Sequence, residues 1–198
     1  MKYFWSDLHF EQHRTQPIGQ RKKFFSSQEE WQEKCIDTLH AHLKPGDVFY
    51  LLGDIGDQVG LTYLKNRLPK RVQYIMLMGN HDPSKSFCRG IFGKNQVRDT
   101  LMIRFSNRQF CFLSHYPHLF WNKSHYGSYH LYGHVHDQRT DFIMDLFPEI
   151  QSLDMCPESS IRHLGEARPF SEEDIIEILS KRKGHDDVEY YKRFHGDL

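Results

Sequence analysis

Five apolar runs in this chain each end at a side chain able to hold a metal ion. KYFWS leads to Asp7 and His9, VFYLL to Asp54, VQYIMLM to Asn80 and His81, QFCFLS to His115, and SYHLYG to His134 and His136. Asp7/His9 and His134/His136 are i, i+2 pairs, so in extended backbone both members of a pair share one face. Gly53, Gly79 and Gly133 stand directly before candidate ligands, where a missing Cβ permits a sharp turn and close backbone approach. The donors are carboxylate, amide and imidazole, with no thiolate. That set suits a borderline or hard divalent ion such as manganese, iron, zinc or nickel, not a structural zinc. Asp7, His9, Asp54, Asn80, His115, His134 and His136 are too many for one ion with an open position. They divide into two sites if Asp54 bridges.

Such a cluster needs strands that end in one place. The apolar runs read as those strands, and LMIRF with QFCFLSH, joined by SNR, reads as a β-hairpin. SLDM reads as one more strand. SSQEEWQEKCIDTLHAHL is predicted helical, with Ser26 or Ser27 as cap, Glu29 or Glu30 three positions on, and Trp31, Cys35, Leu39 and Leu43 at helical spacing. VGLTYLKNRL and SEEDIIEILSKRK are two further helices, the latter capped by Ser171. The stretch 83–96, PSKSFCRGIFGKNQ, reads as a loop walling the site, as does PHLFWNKSHYG. Strands alternating with helices and then pairing locally predict an α/β or mixed sandwich, with ligands gathered at the strand carboxyl ends. Of the 14 histidines, His40 and His42 read as solvated helix positions, and His13, His163, His185 and His195 as surface residues.

The 198 residues suffice for one domain with a sizeable core, expected over 1–182, with 183–198 as a charged tail or docking segment. Lysine plus arginine equals aspartate plus glutamate, at 26 each, which argues against a chain built mainly to clamp nucleic acid or an anionic membrane. The amino terminus lacks the apolar core and small-residue site of a signal peptide, and no apolar run approaches membrane-spanning length. Cys35, Cys88, Cys111 and Cys156 have no C-x-x-C spacing and read as reduced structural thiols. A cytoplasmic location is the expectation.

Taken in order, Asp7-Leu-His9, Gly53-Asp54-Ile-Gly-Asp57, Gly79-Asn80-His81-Asp82, His115 and Gly133-His134-Val-His136 resemble the signature of the calcineurin-like metallophosphoesterase superfamily. KKFFSSQEEW and SHYPHLFWNKSHYGSYHLYGHVH resemble its small single-domain bacterial and phage members. The resemblance implies a four-layer α/β/β/α sandwich, two mixed sheets flanked by helices. It implies one metal held by Asp7, His9, Asp54 and His136, and a second held by Asp54, Asn80, His115 and His134. Two such cations about 3.5–4 Å apart can hold a bridging hydroxide and clamp a phosphoryl group during in-line displacement. His81 would then face the phosphate and the leaving oxygen, with Asp82 orienting its ring.

Phosphoprotein phosphatases of the superfamily carry an arginine after G-D-x-x-D. Here Gln58 follows Asp57, so a phosphoprotein substrate is not expected, and Asp57 reads as a helix cap or supporting group. Hydrolysis of a phosphodiester or phosphomonoester, on a small molecule or nucleotide, is the favoured function. The alternative is a nuclease using Arg14, Arg21, Lys22 and Lys23 beside Phe24 and Phe25, a stretch better read as a solvated loop. A non-catalytic metal-binding scaffold is the weakest reading, because His81 is present. Arg89, His118, Trp121 and Asn122 are candidate substrate contacts, with Tyr116 a candidate rim aromatic.

Overall fold

The computed structural model describes residues 1–11 and 13–182. The segment 183–198, expected as a tail, lies outside the described residues. In chain order the elements are β1 (Lys2–Trp5), α1 (Gln28–His42), β2 (Val48–Leu52), α2 (Gln58–Arg67), β3 (Gln73–Leu77), α3 (Lys85–Phe92) and β4 (Val97–Arg98). Then follow β5 (Thr100–Arg104), β6 (Phe110–Ser114), β7 (Tyr129–Tyr132), α4 (Thr140–Leu146), β8 (Ser152–Asp154), α5 (Pro157–Leu164), β9 (Phe170–Ser171) and α6 (Glu172–Ser180).

The strands form two mixed sheets, ordered β4-β3-β2-β1-β9 and β5-β6-β7-β8. In the first, β1 to β4 run parallel and β9 pairs antiparallel with β1. In the second, β5 and β6 form the expected hairpin, while β7 and β8 add in parallel. The first sheet is apolar on both faces, as parallel sheets are, and alternation assigns each residue to one core. Trp5, Phe49, Leu51 and Met76 face Trp31, Cys35 and Leu39 of α1, Leu61 and Leu64 of α2, and Cys88 and Phe92 of α3. Phe4, Tyr50, Leu52 and Leu77 face Cys111, Leu113, Leu131 and Leu153 of the second sheet, with Ile175 and Leu179 of α6 completing that core.

Helix starts follow local chemistry. Ser27 caps α1, accepting from the Glu30 N–H at 3.1 Å, and Asp57 caps α2, accepting from the Gly60 N–H at 2.8 Å. Ser171 and Asp174 form a capping box on α6. The stretch 83–96 is not the loop expected from its sequence. Ser84 caps α3 there, because Cys88 and Phe92, one turn apart, bury against the first core with Phe87 and Ile91 beside them. All four cysteines are free and buried. Among the described residues no helix is long and apolar enough to cross a membrane.

Candidate metal centre

Both sheets deliver their strand ends to one place. The segments after β1 and β2 are zipped together: Asp7 N–H donates to the Gly53 carbonyl (2.9 Å), His9 N–H to that of Asp54 (3.0 Å) and Phe10 N–H to that of Ile55 (2.8 Å). Across the sheets, the His115 Nδ1–H donates to the Leu52 carbonyl at 2.9 Å. The Asp7 carboxylate accepts from the His134 N–H at 3.0 and 3.1 Å. Five of the seven expected ligands, Asp7, His9, Asp54, His134 and His136, hold left-handed backbone with φ between 49° and 75°. Non-glycine residues seldom adopt that region, and its concentration here marks a site that surrounding structure enforces. At Gly133 a Cβ would stand 2.3 Å from Asp7 Oδ2, and at Gly79 one would stand 2.3 Å from Asp54 Oδ1, so only glycine admits these carboxylates.

Three groups of side chains have ligand atoms within 4.8 Å of one another: Asp7/His9/His136, Asp54/His115/His134 and, at the mouth, His9/Glu11/His81. Asn80 joins the second, its Oδ1 3.1 Å from His115 Nε2 and 3.0 Å from His134 Nδ1. Asp54 Oδ2 is 3.3 Å from His115 Nε2 and 3.9 Å from His9 Nε2, placing one carboxylate between the first two groups. His9 Nε2 is buried with no hydrogen-bond partner, while its Nδ1 is engaged by Glu11 Oε1 at 3.0 Å. An orphaned imidazole nitrogen facing a buried carboxylate is what a divalent cation would satisfy. Charge fits as well. Burial disfavours the Asp54 anion, but the His115 bond and charge and the His81 N–H outweigh it and hold its pKa at about 2. Burial lowers the His115 pKa, yet Asp54 and Asp7 together carry it up to about 9. Burial leaves His9 below its ordinary value and so in the neutral, ligating form. The residues present fit two divalent cations.

His81 stands at the mouth, its ring exposed and edge-on to His9 at 5.2 Å between centroids. The carboxylate beside it is not the expected one. Asp82 accepts from the backbone N–H groups of Asp54 (3.0 Å), Ile55 (2.7 Å) and Gly79 (2.7 Å), tying the loops after β2 and β3 together. It is Glu11 whose Oε1 lies 3.6 Å from His81 Nδ1. Glu11, two positions beyond the Asp7/His9 pair, had a readable signal in its spacing that went unused.

Arg21 and Glu158 had none. Their buried pair, Nε to Oε1 at 2.9 Å and Nη2 to Oε2 at 3.0 Å, backs the His136 ring, whose Nδ1 is 3.2 Å from Arg21 Nη2. The stretch holding Arg21 is therefore not simply a solvated loop. Arg21 is fully buried and Arg14 bonds to Glu11, leaving Lys22 and Lys23 exposed. Removing one partner strands a buried charge. We expect Arg21→Met to lower the stability of metal-free protein by about 3–5 kcal/mol, and the double change Arg21→Met/Glu158→Leu to cost less than the single one. Denaturant unfolding checks this, and a single variant as stable as the parent would refute it.

The remaining candidates lie elsewhere. Trp121 Nε1 donates to Ser128, and its ring packs on His130. His118 packs on Phe112 and His130, over the face of the second sheet turned away from the shared core, and the Asn122 carbonyl accepts from Ser128 Oγ. Arg89 is exposed on α3. The aromatic actually at the rim is Tyr116, whose ring meets His115 at 5.0 Å and His134 at 4.8 Å. His40 and His13 are exposed as expected, whereas His163 is half-buried with Nε2 unpartnered, because α5 turns that face inward. His185 and His195 lie outside the described residues.

No family model matches the chain, and no curated protein matches it. Seven chains of solved structures do. One is protein AQ665 from Aquifex aeolicus, described as of unknown function. It is 23% identical, with the match covering 90% of this chain and 98% of that one at a TM-score of 0.62. At that identity the likeness is one of fold.

Proposed function

We propose that this chain is a phosphoesterase of the calcineurin-like type, dependent on two divalent cations and acting in the cytoplasm on a small phosphate ester or nucleotide. The observation that carries the reading is Asp54 Oδ2, 3.3 Å from a histidine of one group and 3.9 Å from a histidine of the other. Asp7, His9, Asp54 and His136 would hold one cation, and Asp54, Asn80, His115 and His134 the second. When bound, such a pair supplies Lewis-acid polarisation of phosphoryl oxygens and a water nucleophile at neutral pH. His115 Nδ1 is committed to the Leu52 carbonyl and His9 Nδ1 to Glu11, so each ring turns Nε2 to the centre. Glu11 lies on the Nδ1 side of His81, which leaves His81 Nε2 as the atom to hand a proton to the leaving oxygen. The same reading takes the segment 116–128 and α4 as the fourth layer, over the outer face of the second sheet.

Burial of Arg21 and the engagement of Arg14 remove half of the basic residues a nuclease reading relied on. The test is hydrolysis of bis-p-nitrophenyl phosphate against p-nitrophenyl phosphate, with manganese, nickel, zinc or magnesium added to metal-stripped protein. We expect metal-restored turnover of at least one ester. Inactivity with every metal would overturn the reading in favour of a scaffold.

A further inference from the structure

We propose that the chain's own last residues, 183–198, dock on the apolar surface formed by α4 and the segment 117–120, over the outer face of the second sheet. Such a contact needs no catalytic activity and is independent of the phosphoesterase reading.

The surface is built of side chains that the fold leaves unused. Helix α4 carries Phe142, Ile143, Met144 and Leu146, yet of its residues only Thr140 is buried, and none joins either core. Phe142 and Leu146 are one turn apart and share a face. Both are more than half exposed, as are Leu119 and Phe120 in the neighbouring segment. The two pieces belong to one surface, because Leu119 and Ile143 line the same cavity, together with Pro117, Ile150 and Ser152. Apolar side chains scattered singly over a surface mean little, but a contiguous set marks a contact. The cavity measures about 120 Å³. An engineered apolar cavity of about 150 Å³ takes up benzene, so this one is close to the size of an aromatic ring.

The occupant follows from where the described chain ends. Arg182 is its last residue, and its Nη1 donates to the Ile150 carbonyl at 2.9 Å and to the Ser152 carbonyl. Ile150 and Ser152 line the cavity, and β8 is the edge strand of its sheet, so the chain leaves at the border of the apolar surface. The sixteen residues beyond would span about 55 Å fully extended or about 24 Å as a helix, against about 10 Å for the length of α4.

Their sequence suits the place. Val188, Tyr191, Phe194 and Leu198 recur at steps of three, three and four, which would put them within an arc of about 120° on a helix. Glu189, Lys192, Arg193 and Asp197 fall outside that arc. A short helix of this pattern gains its stability from an apolar surface to lie on, and Tyr191 or Phe194 would fill the cavity. Helix α4 opens four residues after His136, so a docked segment would also steady the turn that carries His134 and His136.

The experiment uses the full chain. With p-benzoylphenylalanine in place of Phe142, a mixture of light and heavy-isotope chains is irradiated and the cross-links are mapped by mass spectrometry. We expect them to fall on residues 188–198 of the same chain. In parallel, Tyr191→Asp and Phe194→Asp are compared with wild type by amide hydrogen exchange. Each should speed exchange across 134–147 at least tenfold and raise the fluorescence of bound anilinonaphthalene sulfonate, while β2 and β6 exchange as in wild type. These two variants keep the native α4 sequence, so they carry the test even if the probe at position 142 disturbs that helix. Cross-links that join light to heavy chains would overturn the proposal in favour of an interface between copies. Cross-links that avoid 188–198, or variants that exchange like wild type, would overturn it outright.

Discussion

Replacing His81 by alanine is expected to leave two cations bound and to lower kcat by about 10²–10⁴-fold, the range for loss of a positioned general acid. On the proposed reading, Asn80 and His81 have separate roles, and their side chains face different partners. The Asn80 amide faces His115 and His134, whereas the His81 ring stands exposed against His9, reached by the Glu11 carboxylate. Only the His81 backbone N–H is spent on a ligand, donating to Asp54 Oδ1 at 2.7 Å, and alanine retains that bond. Metal content by elemental analysis should therefore be unchanged while turnover collapses. The deficit should be largest for esters with poor leaving groups, which need the proton most. A His81→Ala protein with near-normal kcat sinks the assignment.

Asp54→Asn should act in the opposite order, removing metal first and activity as a consequence. Asparagine keeps the acceptor for the His81 N–H but loses the charge set between the two histidine groups. We expect metal content to fall from two ions to at most one, with turnover below detection. A further readout needs no metal. In metal-free wild type His115 is held up at about 9 against an ordinary 6.5, burial opposing and Asp54 with Asp7 prevailing. A folded-state value above the unfolded one contributes stability below pH 6.5 that is lost as pH rises through 9. Without the Asp54 charge the ring should titrate lower, and the decline in metal-free stability between those limits should flatten. NMR titration and pH-dependent unfolding read this out. An Asp54→Asn protein that holds two ions and titrates like wild type would refute the bridging role.

The candidate ligands were legible because each follows a strand whose apolar periodicity is strong, and four of the five strand ends are marked by glycine or aspartate. β1, β2, β3, β6 and β7 fell where that pattern put them, as did the caps Ser27, Asp57 and Ser171. What was not legible has physical reasons. Helix α3 is short and opens in Pro-Ser-Lys-Ser, chemistry that a loop shares, and only the two buried residues one turn apart betray it. Helix α5 is capped by the Cys156 sulfur, an unusual acceptor. The Arg21–Glu158 pair spans 137 positions, and nothing local to either residue announces the other. His118 and Trp121 lie close to ligands in sequence but pack over the far face of their sheet, since a loop carries no periodicity to say which way a side chain turns. The expected pairing of Asp82 with His81 came from a carboxylate next to a histidine, when its nearest donors are backbone amides of the loop after β2 and of its own loop.

The left-handed residues around the centre have a consequence for how this fold can change over time. Each such backbone costs of order 1–3 kcal/mol when the side chain is not glycine, and five sit together. A lineage that abandoned the chemistry would gain stability by turning His134 or His136 into glycine, so drift alone pushes toward erasing the centre. Aspartate and histidine occupy all five positions, and on the proposed reading bound cations would offset the cost of those conformations.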